Sequence, residues 1–364
     1  VSDILVVDDS PSVRERLRAI IEEGGRFRVR TANDPYEAVE RMKEQAPDAI
    51  VLDVEMPRMD GVTFLKKLMR QHPLPVIICT DQVERGLAAL DLGALEVIGK
   101  PLWSDPEELA FWSERLRESL RQAIAWGEAR RKGVREAVRV EAGAGVPGSR
   151  GEVHTADVIL RRADFDARGA PRERVVVVGA STGGVQAVAE LLRGFPAGSP
   201  PVVVVQHMPP GFTRAFANRL EADPRIQTHV CEAASGTVLS PGWVYVVPGH
   251  AHGVVRRHGS GYRLDLANGP PVCRHRPSVD VLFRSAAQAA GPRATGILLT
   301  GMGSDGADGL LEMFQAGSFT IAQDEATSVV FGMPAQGIKR GGAGRVLALD
   351  RIAPAVASWS RGTA

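Results

Sequence analysis

Short runs of β-branched and aliphatic residues alternate along the chain with longer segments whose apolar positions recur every three or four residues. In the first hundred residues the runs are Ile4–Val7, Phe27–Thr31, Ala49–Leu52, Val76–Cys79 and Glu96–Ile98. Between them lie amphipathic stretches such as Val13–Glu23, with Val13, Leu17, Ile20 and Ile21 on one stripe. Short continuous apolar runs read as strands buried on both faces, and the stripes between them as covering helices. That alternation predicts an α/β domain built on a doubly wound parallel sheet. The pattern fades near residue 125 and resumes at Val175–Val178, Val202–Val205 and Ile297–Leu299, which predicts a second doubly wound α/β domain. The stretch between them contains Arg130-Arg131-Lys132 and Glu141-Ala142-Gly143-Ala144-Gly145-Val146-Pro147-Gly148-Ser149 and has no apolar period. It reads as a flexible linker. The expected boundaries are a first domain over 1–125, a linker over 126–173 and a second domain over 174–364.

The length of 364 residues suits two domains, each able to bury its own core. The formal net charge of +1 hides an asymmetry: residues 1–104 balance at −4, 105–174 at +1 and 175–364 at +4. A near-neutral chain with 5% aromatic residues lacks both the field and the stacking surfaces of a nucleic-acid binder. Three scattered cysteines, Cys79, Cys231 and Cys273, form neither a disulfide framework nor a thiolate metal site, which suggests a reducing compartment. No run approaches the length of a membrane span, and no signal-peptide pattern opens the chain, so no membrane insertion and a cytoplasmic location are expected. A first residue of Val1 rather than methionine predicts a processed or trimmed chain.

Polar residues at the strand ends carry the chemistry, because open parallel sheets bind ligands beyond the carboxyl ends of their strands. In the first domain Asp8 and Asp9 follow the first run, Asp53 the third, Thr80 the fourth and Lys100-Pro101 the fifth. Any single Asp there reads more readily as a helix cap. The full set at matching ends reads as an acidic site for a hard cation such as Mg²⁺, next to a carboxylate able to attack phosphorus. With Ile4-Leu5-Val6-Val7-Asp8-Asp9-Ser10, Leu52-Asp53-Val54-Glu55-Met56-Pro57-Arg58-Met59-Asp60-Gly61, Thr80 and Lys100-Pro101, residues 4–101 resemble a response-regulator receiver domain of flavodoxin-like fold. The resemblance implies Asp53 as phospho-acceptor, with Asp8, Asp9 and Asp53 at the Mg²⁺ site. It also implies Thr80 and Lys100 as the groups that sense the phosphoryl oxygens, and a cis Lys100–Pro101 bond. Asp81 stands where the family more often has a small residue.

In the second domain three strands each deliver one polar residue: Ser181 in Gly179-Ala180-Ser181-Thr182-Gly183-Gly184, His207 in Gln206-His207-Met208-Pro209-Pro210, and Asp305 in Thr300-Gly301-Met302-Gly303-Ser304-Asp305-Gly306. A hydroxyl, an imidazole and a carboxylate are the parts of an acyl-transfer site. The glycines fit a sharp strand-to-helix turn that exposes the serine, with backbone N–H groups able to meet an oxyanion. The same turn could cradle a dinucleotide, but that fingerprint expects an acidic residue at the next strand end, where Gln206-His207 stands. Taken alone, His207 reads as a structural histidine and Asp305 as a cap or loop residue, with Asp308 a competitor in the same loop.

Together with Ala322-Gln323-Asp324-Glu325-Ala326-Thr327-Ser328-Val329-Val330-Phe331-Gly332-Met333-Pro334, these segments make residues 174–350 resemble the Rossmann-like catalytic domain of chemotaxis protein-glutamate methylesterases, the CheB family. The resemblance implies Ser181 as nucleophile, His207 as base and acid, and Asp305 as orienting carboxylate. The backbone N–H groups of Thr182 and Met302 are the candidate oxyanion donors. It further implies glutamate methyl esters of methyl-accepting chemotaxis receptors as substrate, glutamine deamidation as a second activity, and no cofactor for the esterase. A CheA-type histidine kinase would be the phosphodonor, and the receiver would cover the Ser181 cleft until Asp53 is phosphorylated. A phospho-switched scaffold with a vestigial hydrolase site is the alternative of another class, and a nicotinamide-dependent oxidoreductase a third reading.

Overall fold

The computed structural model describes residues 1–101, 103–131 and 153–362, which form two units. In the first, the apolar runs become β1 (Ser2–Val7), β2 (Phe27–Ala32), β3 (Ala49–Leu52), β4 (Val76–Cys79) and β5 (Glu96–Ile98). The stripes become α1 (Pro11–Glu22), α2 (Pro35–Glu44), α3 (Gly61–Gln71), α4 (Val83–Asp91) and α5 (Pro106–Arg131). All pairings are parallel, in the order β2-β1-β3-β4-β5 of a flavodoxin-like sheet. Ile4 and Val6 of β1 pack with Leu17 and Ile21 of α1 and with Leu116 and Leu120 of α5, so one face of the sheet is closed by the first and last helices. Asp34 caps α2 by accepting from Tyr36 N and Glu37 N, and Asp60 caps α3 from Thr63 N.

The second unit is built on β6 (Val175–Ala180), α6 (Gly184–Arg193), β7 (Val202–Gln206), α7 (Phe212–Glu221), β8 (His229–Glu232), β9 (Thr237–Val238) and β10 (Trp243–Val246). There follow β11 (His252–His258), β12 (Gly261–Ala267), α8 (Val279–Ala290), β13 (Ala294–Leu298), α9 (Ala307–Gln315), β14 (Phe319–Gln323), α10 (Met333–Lys339), β15 (Arg345–Leu347) and α11 (Leu349–Arg361). Seven strands make a parallel sheet in the order β15-β14-β13-β6-β7-β10-β8. The chain leaves β6 toward β7 on one side and later returns to its other side as β13. The reversal opens a crevice at the carboxyl ends of β13, β6 and β7, where a doubly wound sheet places its site. β11, β12 and β9 form a separate antiparallel sheet that the parallel pattern did not predict.

Three expectations need correction. Helix α5 continues past residue 125 to Arg131, and residues 153–173, expected to be flexible linker, lie packed on the second unit. Ala156 is buried with Val254, Val272 and Val281, and Arg284 of α8 donates to Asp157 Oδ1 and Leu160 O at 3.0 Å each. The remaining linker, 132–152, lies outside the described residues. The expected cis bond at Lys100–Pro101 is absent: among the described residues the cis peptide is Arg276–Pro277.

Candidate active site

In the first unit the strand ends bring Asp8, Asp9 and Asp53 together, with a carboxylate oxygen of each within 4.8 Å of the others. Asp8 and Asp53 are buried and Asp9 is exposed. Lys100 Nζ reaches in from the end of β5 and donates to Asp53 Oδ2 at 2.7 Å and to Asp8 Oδ2 at 3.0 Å. Burial raises the Asp8 carboxyl above its usual value, although Lys100 opposes it. Burial disfavours the charge on Lys100 too, but its hydrogen bond to Asp53 and the two carboxylate charges outweigh that and hold it firmly protonated. Thr80 is buried at the end of β4, where its Oγ1 accepts from Gln82 N at 3.1 Å. Among the described residues its hydroxyl makes no hydrogen bond to the acidic cluster. Asp81 turns back to accept from Lys100 N at 3.0 Å.

In the second unit Ser181 directly follows β6, and its carbonyl accepts from Gly184 N at 2.7 Å and Gln206 Nε2 at 2.8 Å. Gly183 caps α6 at φ 77°, a left-handed conformation that turns the chain from strand to helix within three residues. The neighbouring strand end approaches closely: a Cβ on Gly301 would lie 2.8 Å from Ser181 Cβ and 2.3 Å from Met333 Sδ. Thr182 Oγ1 contacts Met302 Sδ at 3.6 Å, so the side chains of the two residues that carry the candidate oxyanion donors meet. Among the described residues neither backbone N–H donates to another protein group.

His207 lies at the end of β7 with its side chain 1% exposed. Its Nε2 donates to Asp305 Oδ2 at 2.8 Å, while Nδ1 is buried with no hydrogen-bond partner. Asp305 also accepts from Val279 N at 2.7 Å, Ser278 Oγ at 2.8 Å and Asp280 N at 3.0 Å. The carboxylate therefore sits on the N-terminus of α8, whose unpaired N–H groups and dipole favour its charge. The competing Asp308 instead faces solvent and pairs with Arg340 at 2.8 Å. The structure thus brings His207 and Asp305 into contact, and among the described residues no Ser181–His207 hydrogen bond is present.

Three contributors escaped the sequence reading. Ser278 and the first N–H groups of α8 fix Asp305, and a serine before Val279-Asp280 is the cap signal that could have marked them. His252 is fully buried; its Nε2 donates to Pro270 O at 3.1 Å and its Nδ1 accepts from Ser278 N at 3.2 Å, and burial holds its pKa low. His275 stacks on His207, with ring centroids 3.7 Å apart and planes 8° apart.

Fold and site together define a class: a receiver-type acidic pocket on one α/β unit, and on the other a histidine–aspartate pair at strand ends next to the strand that leads into Ser181. Residues 4–110 match the model of the response regulator receiver domain, and residues 176–356 that of the CheB methylesterase. A protein-glutamate methylesterase/protein-glutamine glutaminase of Anaeromyxobacter dehalogenans is 49% identical over 96% of this chain and 94% of its own length. One from Geobacter metallireducens is 48% identical over 96% of each. The catalytic domain of a CheB methylesterase from Thermotoga maritima superposes with a TM-score of 0.50 at 36% identity, covering 51% of this chain and 98% of that one. The chain belongs to the CheB family of receiver-linked methylesterases.

Proposed function

We propose that this chain is a phosphorylation-controlled protein-glutamate methylesterase that also deamidates glutamine side chains, acting on methyl-accepting receptors in the cytoplasm. The observation that carries the chemistry is the clamped His207–Asp305 pair. With Nε2 committed as donor to Asp305, the neutral ring keeps its lone pair on Nδ1, the nitrogen left without a partner. Ser181 Oγ attacks the γ-carbonyl carbon of the ester as Nδ1 takes the hydroxyl proton. The oxyanion is met by the N–H groups of Thr182 and Met302. His207 then returns the proton to the methoxy oxygen, methanol leaves, and a glutamyl ester remains on Ser181. Water repeats the sequence with His207 as base and frees glutamate. With glutamine the leaving group is ammonia. Replacing Ser181 with Ala is expected to lower methanol release from methylated receptors at least about 1,000-fold while Asp53 still accepts phosphate. Turnover near the parent rate would remove the assignment.

In the receiver, Asp8, Asp9 and Asp53 offer hard oxygen donors on one side of the pocket, a set that suits Mg²⁺. The cation, when bound, offsets the carboxylate and phosphoryl charges. Asp53 accepts the phosphoryl group from a CheA-type histidine kinase, and Lys100 and Thr80 respond to its oxygens. Phosphorylation replaces the single negative charge of the Asp53 carboxylate with an acyl phosphate of about −1.5 to −2 and three acceptor oxygens, which releases the restraint on the esterase. No described helix is long and apolar enough to cross a membrane.

A further inference from the structure

His275 lies outside the strands that deliver Ser181, His207 and Asp305, yet its ring covers the face of His207 at 3.7 Å. The way it is held is unusual. Val272 and His275 exchange both backbone hydrogen bonds, at 3.0 and 2.8 Å, which closes a two-residue turn. Its central residues, Cys273 and Arg274, have φ of 49° and 65°, as a type I′ turn demands and as glycine or asparagine would adopt more readily. Arg58 is the one other non-glycine residue in this region of φ among those described. Left-handed backbone at bulky residues persists where the surroundings impose it, and it gathers at functional sites.

The surroundings here are specific. Cys273 N donates to His154 O at 2.9 Å, and Cys273 Sγ donates to Asp280 Oδ2 at 3.3 Å. Asp280 N donates in turn to Asp305 Oδ1, and Asp305 holds His207 Nε2. The contacts close a ring: His207, Asp305, Asp280, Cys273, the turn, His275 and His207 again. Asp305 fixes one edge of the imidazole but leaves it free to rock about the Nε2–Oδ2 axis. A second ring stacked flat on its face removes that freedom.

We propose that His275 is a positioning residue for His207: its stacked ring holds the imidazole plane in which Nδ1 can take the Ser181 proton. This role rests on the serine-esterase reading above. A stack that acts on the proton-transfer step lowers kcat when lost and leaves KM for the receptor in place.

The test uses the full chain with His275→Ala and His275→Phe. Two rates are read: methanol release from methylated receptors, and covalent labelling of Ser181 by a fluorophosphonate, which needs His207 but no receptor. Labelling of the parent at Ser181 checks the esterase reading by itself; a parent that resists the probe overturns that reading rather than this one. With the parent labelled, His275→Ala is expected to lower both kcat and the labelling rate about tenfold with KM within about twofold. His275→Phe, which keeps a stacked ring, is expected to recover both to within about threefold of the parent. An alanine variant that labels at the parent rate overturns the proposal. So does a phenylalanine variant as slow as alanine while its thermal unfolding matches the parent, since a hydrogen bond of His275 rather than its stack would then be at work.

Discussion

At Asp305 four donors converge on two oxygens, three of them from Ser278 and the first turn of α8. Asp305→Asn would put an amide where acceptors are needed and turn His207 to the wrong tautomer. A fall in kcat of about 10⁴ is expected, with KM little changed. Ser278→Ala leaves three donors, so its loss of kcat is expected to stay near tenfold or below. The neighbouring Asp280 is buried, and burial, with the charge of Asp305 adding to it, raises its carboxyl well above the usual range. A raised folded pKa means that the folded chain keeps a proton the unfolded chain has lost. The stabilisation is therefore complete below the ordinary carboxylate value and disappears as pH rises through the raised one. Urea midpoints of the catalytic unit are expected to fall as pH rises across that interval. Asp280→Asn, which mimics the protonated form, should flatten that slope; an unchanged slope would assign it elsewhere.

Elements explain why some of this was legible in the sequence and some was not. Asp8, Asp9, Asp53, Ser181 and His207 all come directly after continuous buried runs, and a parallel sheet presents the residues at the ends of such runs along its carboxyl edge. Asp305 sits farther from its strand, and its choice over Asp308 rested on its being closer to the strand end and on the family resemblance. His275 had no such signal, because a two-residue turn between elements becomes meaningful only when its long-range partner is known. The strap at 153–173 was hidden for a related reason. Its anchors Ala156, Ile159 and Leu160 make one i, i+3, i+4 set around a single helical turn, too short to stand out as a stripe, and Asp157 is held by Arg284, 127 residues away. The β11–β12 hairpin carries charged outer positions and lay outside a search for buried parallel strands. Gly301 shows how tightly the elements meet at the site. Gly301→Ala would drive a methyl into Ser181 and Met333, with an expected cost of about 1–3 kcal/mol in stability and a drop in turnover, checked by thermal melts and methanol release.

On the scale of the whole molecule, the charge asymmetry of the sequence separates an acidic receiver from a mildly basic esterase, each with its own sheet and core. Deleting the receiver is expected to raise basal esterase activity, and the strap decides where the cut belongs. A chain beginning at residue 153 keeps Asp157 and the Leu160 carbonyl against the buried Arg284 guanidinium; one beginning at 174 leaves that cation with Glu312. The shorter chain is expected to be less stable by about 2 kcal/mol, read as a melting temperature lower by about 4–8 °C. Equal melting temperatures would show that the strap contributes nothing.

The order of strands also sets a schedule for synthesis. His207 and Asp305 are neighbours across the sheet but 98 residues apart in the chain. At about 5–20 residues per second, the ribosome takes roughly 5–20 s to travel from one to the other. Through that interval the nascent chain already carries a complete receiver, with Ser181 and His207 made and their carboxylate still unmade. The switch is thus finished before the esterase it governs has all its parts.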